Sequence, residues 1–417
     1  MSAPATLLGQ AQREGRLPSM VGGLVRGGEL AWCGGVGEVP GPVSDTQYRI
    51  GSITKTLTAV LLLQAREAGL LRLDAPLSTY VPEAPFGDRT LRGVLSHSAG
   101  LPAEPAGAWW ERYGRGDFAS LAVENADLAP MADEGVEYRY SNLGFGLLGE
   151  VTARVLGASW TSLVQTRILD PLGMRRTSYA PVAPRAQGWS VAHLTGELCA
   201  EPDSDTGAMA PAGQLWSTVA DLATYAGFVL RGHPDVLPLA VLQEASTEVL
   251  PGSGYGLGFR ISPTGLVGHT GTMPGFMASF FCDRAAGTAY VGFADATTGQ
   301  RSLPLATAML EALAAGESLD PQPGRVPWRP TAAVPADVAE LLGPWCWGER
   351  AFELRWNDEQ LELVELRGDV AYEEYHLHEG RWTGTDRTEL EVVRGPAGTV
   401  ERLVTETYEF TRTPSGR

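Results

Sequence analysis

The stretch Tyr48-Arg49-Ile50-Gly51-Ser52-Ile53-Thr54-Lys55 holds the single lysine of a 417-residue chain in which Lys and Arg together number 32. Arginine carries surface charge as well as lysine does. It cannot release its proton near neutral pH, whereas a buried lysine can. One lysine kept among arginines therefore points to a need for a neutral amine. Tyr48–Ile50 reads as a short strand, and Thr54–Gly69 as a helix. The helix is apolar around most of its circumference, so it belongs at the centre of a core. Ser52 and Lys55 are spaced i and i+3, which puts both side chains on one helical face. The positive end of the helix dipole favours an anionic intermediate and helps hold Lys55 neutral. A neutral amine there can take the proton from Ser52 Oγ and create a nucleophile.

Two further elements lie downstream. Tyr140-Ser141-Asn142 opens another helical run ending at Gly157. By itself it reads as an ordinary helix cap. Beside a nucleophile, a tyrosine hydroxyl can relay protons and an asparagine amide can hold a carbonyl or orient a lysine. His269-Thr270-Gly271-Thr272 ends a strand starting at Leu266. By itself it reads as a β-turn. Beside a nucleophile, Gly271 admits a substrate backbone, the threonines offer hydroxyls, and His269 offers a switchable positive charge.

Around these elements, strands are expected at Val21–Arg26, Glu29–Trp32, Gly256–Arg260, Leu266–His269, Met277–Cys282 and Ala289–Phe293. Helices are expected at Leu91–Ser96, Thr218–Leu230 and Leu303–Ala315, with Leu163–Leu169 stopping at Pro171. Strands, a helical block, then strands and a last helix describe an α+β fold whose first and last strands share a sheet. Prolines 321, 323, 327, 330 and 335 mark an interdomain linker. Beyond it, Phe352-Glu-Leu354-Arg-Trp356 and Leu361-Glu-Leu363 alternate with period two, as in a small all-β barrel. The expected domains are 1–318, a linker over 319–335, and a barrel over 336–417.

A net charge of −17 argues against nucleic acid and anionic membranes as partners. Residues 1–18 lack a basic segment followed by an apolar one, so no secretory signal is read and a cytoplasmic location is expected. Cys33, Cys199, Cys282 and Cys346 show no C-x-x-C spacing. His376 and His378 alternate on one strand face without a third ligand, and no metal or cofactor is expected.

Taken together, Ser52-x-x-Lys55, Tyr140-x-Asn142 and His269-Thr270-Gly271 resemble the penicillin-recognising serine enzymes, in the same order. The likeness extends to Leu95-Ser-His97-Ser-Ala-Gly-Leu-Pro102, Pro171-Leu-Gly-Met174 and Gly268–Phe276, and covers residues 20 to 315. That group includes class C β-lactamases, family VIII esterases, D-aminopeptidases and D-alanyl-D-alanine carboxypeptidases. The resemblance implies a β-lactamase/transpeptidase-like domain, with an antiparallel sheet and a helical part, followed by a lipocalin-like barrel. It implies Ser52 as the acylated nucleophile, Lys55 as its base, Tyr140 as proton relay and Asn142 as a contact for the acyl amide. The oxyanion would sit on the backbone N–H groups of Ser52 and Thr272. His97 would be structural.

Class C β-lactamases usually carry lysine where this chain has His269, which points away from β-lactams. Histidine there is more similar to the carboxypeptidase and D-aminopeptidase branch. Thr270 and Thr272, with Arg260, would then bind a substrate carboxylate. The expected function is hydrolysis of a small ester, amide or D-amino-acid peptide through a Ser52 acyl-enzyme. An alternative is acyl transfer, in which a carrier-bound peptide is released by cyclisation.

Overall fold

The computed structural model describes residues 3–114, 116–299, 301–319, 326–357, 359–367, 370–385 and 387–414. The chain divides into two compact units, Met1–Trp189 with Ala200–Pro327, and Ser190–Cys199 with Trp328–Arg417.

In the larger unit, six strands form one sheet: β1 (Ser19–Arg26), β2 (Glu29–Gly37), β3 (Arg260–Ile261), β4 (Val267–Met273), β5 (Phe276–Asp283) and β6 (Thr288–Ala294). Their spatial order is β2-β1-β6-β5-β4-β3, with every neighbouring pair antiparallel. The first strand therefore lies beside the last, as the sequence implied. Five longer helices are α1 (Pro4–Gly15), α2 (Thr54–Glu67), α3 (Asn142–Leu156), α4 (Val219–Arg231) and α5 (Ser302–Ala314). Helix α2 is buried from Thr54 through Leu63, so its wide apolar surface does mark the middle of the core. Apolar positions of α3 and α4 close around it.

Three local readings need correction. Gly256–Phe259 is not strand, and only Arg260–Ile261 pairs with β4. Gly258 has φ +85°, and a Cβ there would lie 2.4 Å from the Ala59 side chain. The segment is glycine-rich because it crosses closely over α2. Pro171 does not stop the preceding helix. The helical path runs from Trp160 through a π-turn over Gln165–Leu169 into Asp170–Leu172. Pro171 lies in the last helical turn, and the path ends just after it at Gly173, whose φ is +71°. Helix α1 was not foreseen.

The smaller unit is a closed antiparallel barrel of eight strands, β7 (Gly343–Trp347), β8 (Arg350–Asn357), β9 (Gln360–Glu365), β10 (Val370–His378), β11 (Arg381–Gly384), β12 (Glu389–Arg394), β13 (Val400–Thr405) and β14 (Tyr408–Thr411). Phe352, Leu354, Trp356, Leu361 and Leu363 point inward, as period two requires. The unit also takes in residues the sequence reading placed elsewhere. Leu194 packs on the barrel core and its carbonyl accepts from Trp356 N–H at 2.8 Å. Trp328 is buried, and its indole donates to Asn357 Oδ1 at 2.7 Å. Residues 328–335 are thus part of the barrel unit instead of free linker. Residues 320–325 of the expected linker lie outside the described residues.

Candidate active site

Strand Tyr48–Arg49 pairs with Trp216–Ser217, and Ile50 N–H donates to Leu215 O at 2.8 Å. The chain then turns at Gly51 (φ +50°) through a single 3₁₀ turn, Gly51–Ile53, into α2. A positive φ favours glycine there. This turn sets Ser52, half-buried, at the mouth of the helix, and Lys55 one turn deeper and fully buried.

Lys55 Nζ makes three contacts: Ser52 Oγ at 2.9 Å, Asn142 Oδ1 at 2.6 Å and Ala212 O at 2.7 Å. Asn142 Oδ1 and Ala212 O can only accept. A neutral amine has two N–H bonds and one lone pair, so donating to those two leaves the lone pair for the Ser52 hydroxyl. Burial pushes the Lys55 ammonium down to about 7, with Glu111 and Glu104 opposing and Arg260 assisting. Desolvation is the largest of these causes.

Tyr140 completes the group. Loss of hydration pushes its phenol above the usual range, with the nearby Ser52 side chain acting in the opposite direction. Its ring lies 5.0 Å from Lys55 Nζ. Ser141 caps α3 through its side chain, which accepts from Gly144 N–H at 3.0 Å. Ser141 alone makes the cap, so Tyr140 and Asn142 are left to face Ser52 and Lys55. Asn142 Nδ2 donates to Glu104 Oε1 at 2.7 Å, and Trp110 Nε1 donates to Glu104 Oε2 at 2.6 Å. Glu104 thereby fixes which way the Asn142 amide faces.

Strand β4 passes Ser52 at backbone distance. A Cβ on Gly271 would lie 1.8 Å from Ile50 O and 3.2 Å from Ser52 N, and one on Gly51 would lie 2.6 Å from Thr272 N. Two glycines facing each other thus bring the N–H groups of Ser52 and Thr272 to one junction. Along β4, His269 and Gly271 are buried while Thr270 is half-buried and Thr272 exposed.

His269 differs from expectation. Its Nε2 lies 2.8 Å from Tyr255 Oη, and its Nδ1 lies 2.5 Å from the Thr270 carbonyl. That carbonyl can only accept, so the proton is on Nδ1 and Nε2 accepts from Tyr255. Burial, with Arg260 alongside, pushes the imidazolium well below its usual range. This surrounding favours a neutral imidazole instead of the switchable charge read from sequence.

Arg260 is exposed, with its guanidinium 5.8 Å from the Tyr140 ring centroid. Among the described residues no carboxylate pairs with it. It lines a cavity of about 360 Å³ together with Tyr138, Ser253, Ser262 and Thr270. Trp216 is core and packs on Phe276 at 5.1 Å. Trp109 is half exposed and donates to Glu111 Oε2 at 2.9 Å. Sequence reasoning missed Glu104, Glu111 and Tyr255. Only the position of Glu104, two residues after Pro102, hinted at it. Among the described residues no group of His, Cys, Asp and Glu is arranged to hold a metal, and no helix is long and apolar enough to cross a membrane.

Comparison with known proteins agrees with this geometry. Residues 5–314 match the Beta-lactamase family, and residues 334–412 match a domain of unknown function. The chain is 34% identical over 198 residues to the D-alanyl-D-alanine-carboxypeptidase/endopeptidase AmpH of Escherichia coli, covering 43% of this chain and 48% of that protein. It spans about half the length of the curated relatives it matches. A D-stereospecific amidohydrolase from Streptomyces superposes with a TM-score of 0.62 at 27% identity, covering 75% of this chain and 99% of that one. The octameric penicillin-binding protein homologue of Pyrococcus abyssi shares the fold over 96% of this chain and 97% of its own, with a TM-score of 0.64 at 22% identity. A strand-to-helix serine–lysine pair, a tyrosine and asparagine at a second helix start, and a glycine-paired strand edge thus occur within a matched domain covering most of the chain, which belongs to the β-lactamase family.

Proposed function

We propose that this chain is a serine hydrolase that forms an acyl-enzyme on Ser52 with a small ester, amide or D-amino-acid peptide. The observation that carries the reading is the wiring of Lys55, with two acceptors engaged and its remaining contact 2.9 Å away on Ser52 Oγ. Lys55 takes the serine proton as Oγ attacks the carbonyl carbon. The resulting oxyanion is met by the N–H groups of Ser52 and Thr272. As the tetrahedral intermediate collapses, the proton held by Lys55 returns through the Tyr140 hydroxyl to the leaving group, which leaves both side chains neutral again. Water then attacks the acyl-enzyme by the reverse proton path. His269 orients Tyr255 and the strand edge and carries no proton in the cycle.

Amino-acid-derived substrates fit the charges around the nucleophile. Glu104 and Glu111 stand near Lys55, and Arg260 stands over Tyr140 without an acidic partner among the described residues. The relatives named for D-alanyl-D-alanine and D-stereospecific substrates point the same way. A fluorophosphonate probe is expected to add one adduct, located on Ser52 by peptide mass spectrometry, and p-nitrophenyl butyrate to be turned over. Absence of both results refutes the reading.

Arg260, with Thr270 and Thr272, is proposed to hold a substrate carboxylate. Arg260→Ala should lower kcat/KM about 10–100-fold for a peptide with a free C-terminal carboxylate, the range for one hydrogen bond to a charged group. The same peptide amidated at its C-terminus should lose less than about threefold. Equal losses on both substrates would remove the carboxylate role.

A further inference from the structure

His97 sits in the left-handed region (φ +57°) with its ring buried. Such a conformation is uncommon for a residue other than glycine, and it is over-represented where the surroundings impose a special geometry. The surroundings here are the backbone on both sides of Tyr140. Arg139 N–H donates to the His97 carbonyl at 2.7 Å, and Ser141 N–H donates to His97 Nδ1 at 3.0 Å. The residues immediately before and after Tyr140 are thus held by one residue, through its main chain and its side chain. The His97 ring also packs on Tyr140 with centroids 4.2 Å apart, and on Tyr255 and Phe145 at 4.6 and 5.3 Å.

Because Nδ1 accepts, the proton of the neutral ring is on Nε2. That atom is buried and has no hydrogen-bond partner among the described residues. A buried polar atom without a partner costs about 1–3 kcal/mol, and a simple core position would be filled more stably by an apolar side chain. The compensation is the Nδ1 acceptor at Ser141. Tyr255, which contacts the His97 ring, donates to His269, so the second and third motifs are tied through this aromatic cluster.

We infer that His97 is a positioning residue for the proton-relay hydroxyl of Tyr140, clamping residues 139 and 141 so that the phenol stays turned toward Ser52. This rests on the acyl-enzyme reading above, in which Tyr140 serves the leaving group. His97 touches no substrate and acts only through Tyr140.

The test compares His97→Asn with His97→Leu, side chains of similar size. Asparagine tolerates the positive φ, and its Oδ1 can accept from Ser141; leucine cannot accept. With p-nitrophenyl butyrate, the asparagine variant should keep kcat within about threefold of wild type. The leucine variant should lose about 10–100-fold in kcat with KM changed less than about threefold. Tyr140→Phe alone should lose the 10²–10⁴-fold usual for a general acid–base group. Adding His97→Leu to it should cause no further loss, since the clamp has nothing left to position.

Equal kcat for the asparagine and leucine variants, or losses that multiply in the double variant, would overturn the inference while Ser52 labelling in wild type still upheld the acyl-enzyme reading. No labelling of wild type would overturn both. Should the leucine variant not fold, His97→Gly, which relieves the backbone strain and also lacks the acceptor, takes its place in the same comparison.

Discussion

Replacing Lys55 with arginine will abolish acylation of Ser52 in a chain that still folds. The charge is kept but the base is lost, because a guanidinium does not release its proton near neutral pH. The loss in kcat/KM should reach about 10⁴-fold, the upper end for general-base groups, since no second amine lies on Ser52. Arginine is longer than the fully buried site accommodates, so a stability cost of about 1–3 kcal/mol from overpacking is expected as well. Lys55→Met separates the two effects by keeping the stem without the amine. It should be equally inactive. Ser52→Ala should show no fluorophosphonate adduct. Wild-type labelling by either Lys55 variant, with native circular dichroism, would remove Lys55 from the role of base.

The pH profile of the wild-type enzyme follows from the same group. In the proposed role the neutral amine is the active form, and burial holds the Lys55 pKa at about 7. Below that value, kcat/KM should fall about tenfold per pH unit, and above it a plateau should appear. The stability change has the same sign. The folded-state pKa is depressed from 10.5, so between about pH 7 and 10.5 the unfolded chain binds the extra proton. Stability gained from this group therefore rises with pH across that window, and is flat below it. His269 and His97, both pushed well below the usual imidazole range, should add no second step between pH 6 and 8.

What could be read from the sequence was whatever is encoded locally. Ser52 and Lys55 are three residues apart, so helical geometry alone brings them together, and the strand before and the apolar run after identify that helix. The barrel was legible because inward and outward residues alternate along each strand, as at Phe352, Leu354 and Trp356. The charge state of His269 was not legible. Its two partners are Tyr255 and the carbonyl of Thr270, and nothing in His-Thr-Gly tells that the ring turns inward. Glu104 is likewise silent, because it meets Asn142 across 38 residues of chain that carry no periodic pattern. His97 was read as structural, and the reading went no further because its action depends on a φ angle and on two backbone donors at 139 and 141. One strand was read too early: Gly256–Arg260 was expected to be extended, whereas Gly258 marks a close crossing over Ala59.

Glycine is also where the second large effect is expected. Gly271→Ala places a Cβ 1.8 Å from Ile50 O, and real Cβ atoms do not approach backbone oxygen within about 3 Å. The obstructing atom belongs to the backbone that leads into the turn carrying Ser52, so it cannot swing aside as a side-chain end would. Strand β4 must retreat from the turn by more than an ångström. The N–H groups of Ser52 and Thr272 lie on the two sides of that contact, so the retreat separates the pair of donors proposed to hold the oxyanion. Loss of one such donor costs about 10²–10³-fold in kcat, and displacement of the pair should cost at least that. The Lys55–Ser52 contact is made within the turn and α2, and should survive. Gly271→Ala should therefore retain the pH midpoint near 7 while kcat falls, a pattern that general unfolding would not give. Gly9→Ala supplies the control: it lies within α1 with no atom near its missing Cβ, and should leave kcat unchanged with stability equal or higher by up to about 1 kcal/mol. A Gly271→Ala enzyme with wild-type kcat would show that the close approach of β4 to Gly51 has no part in the chemistry.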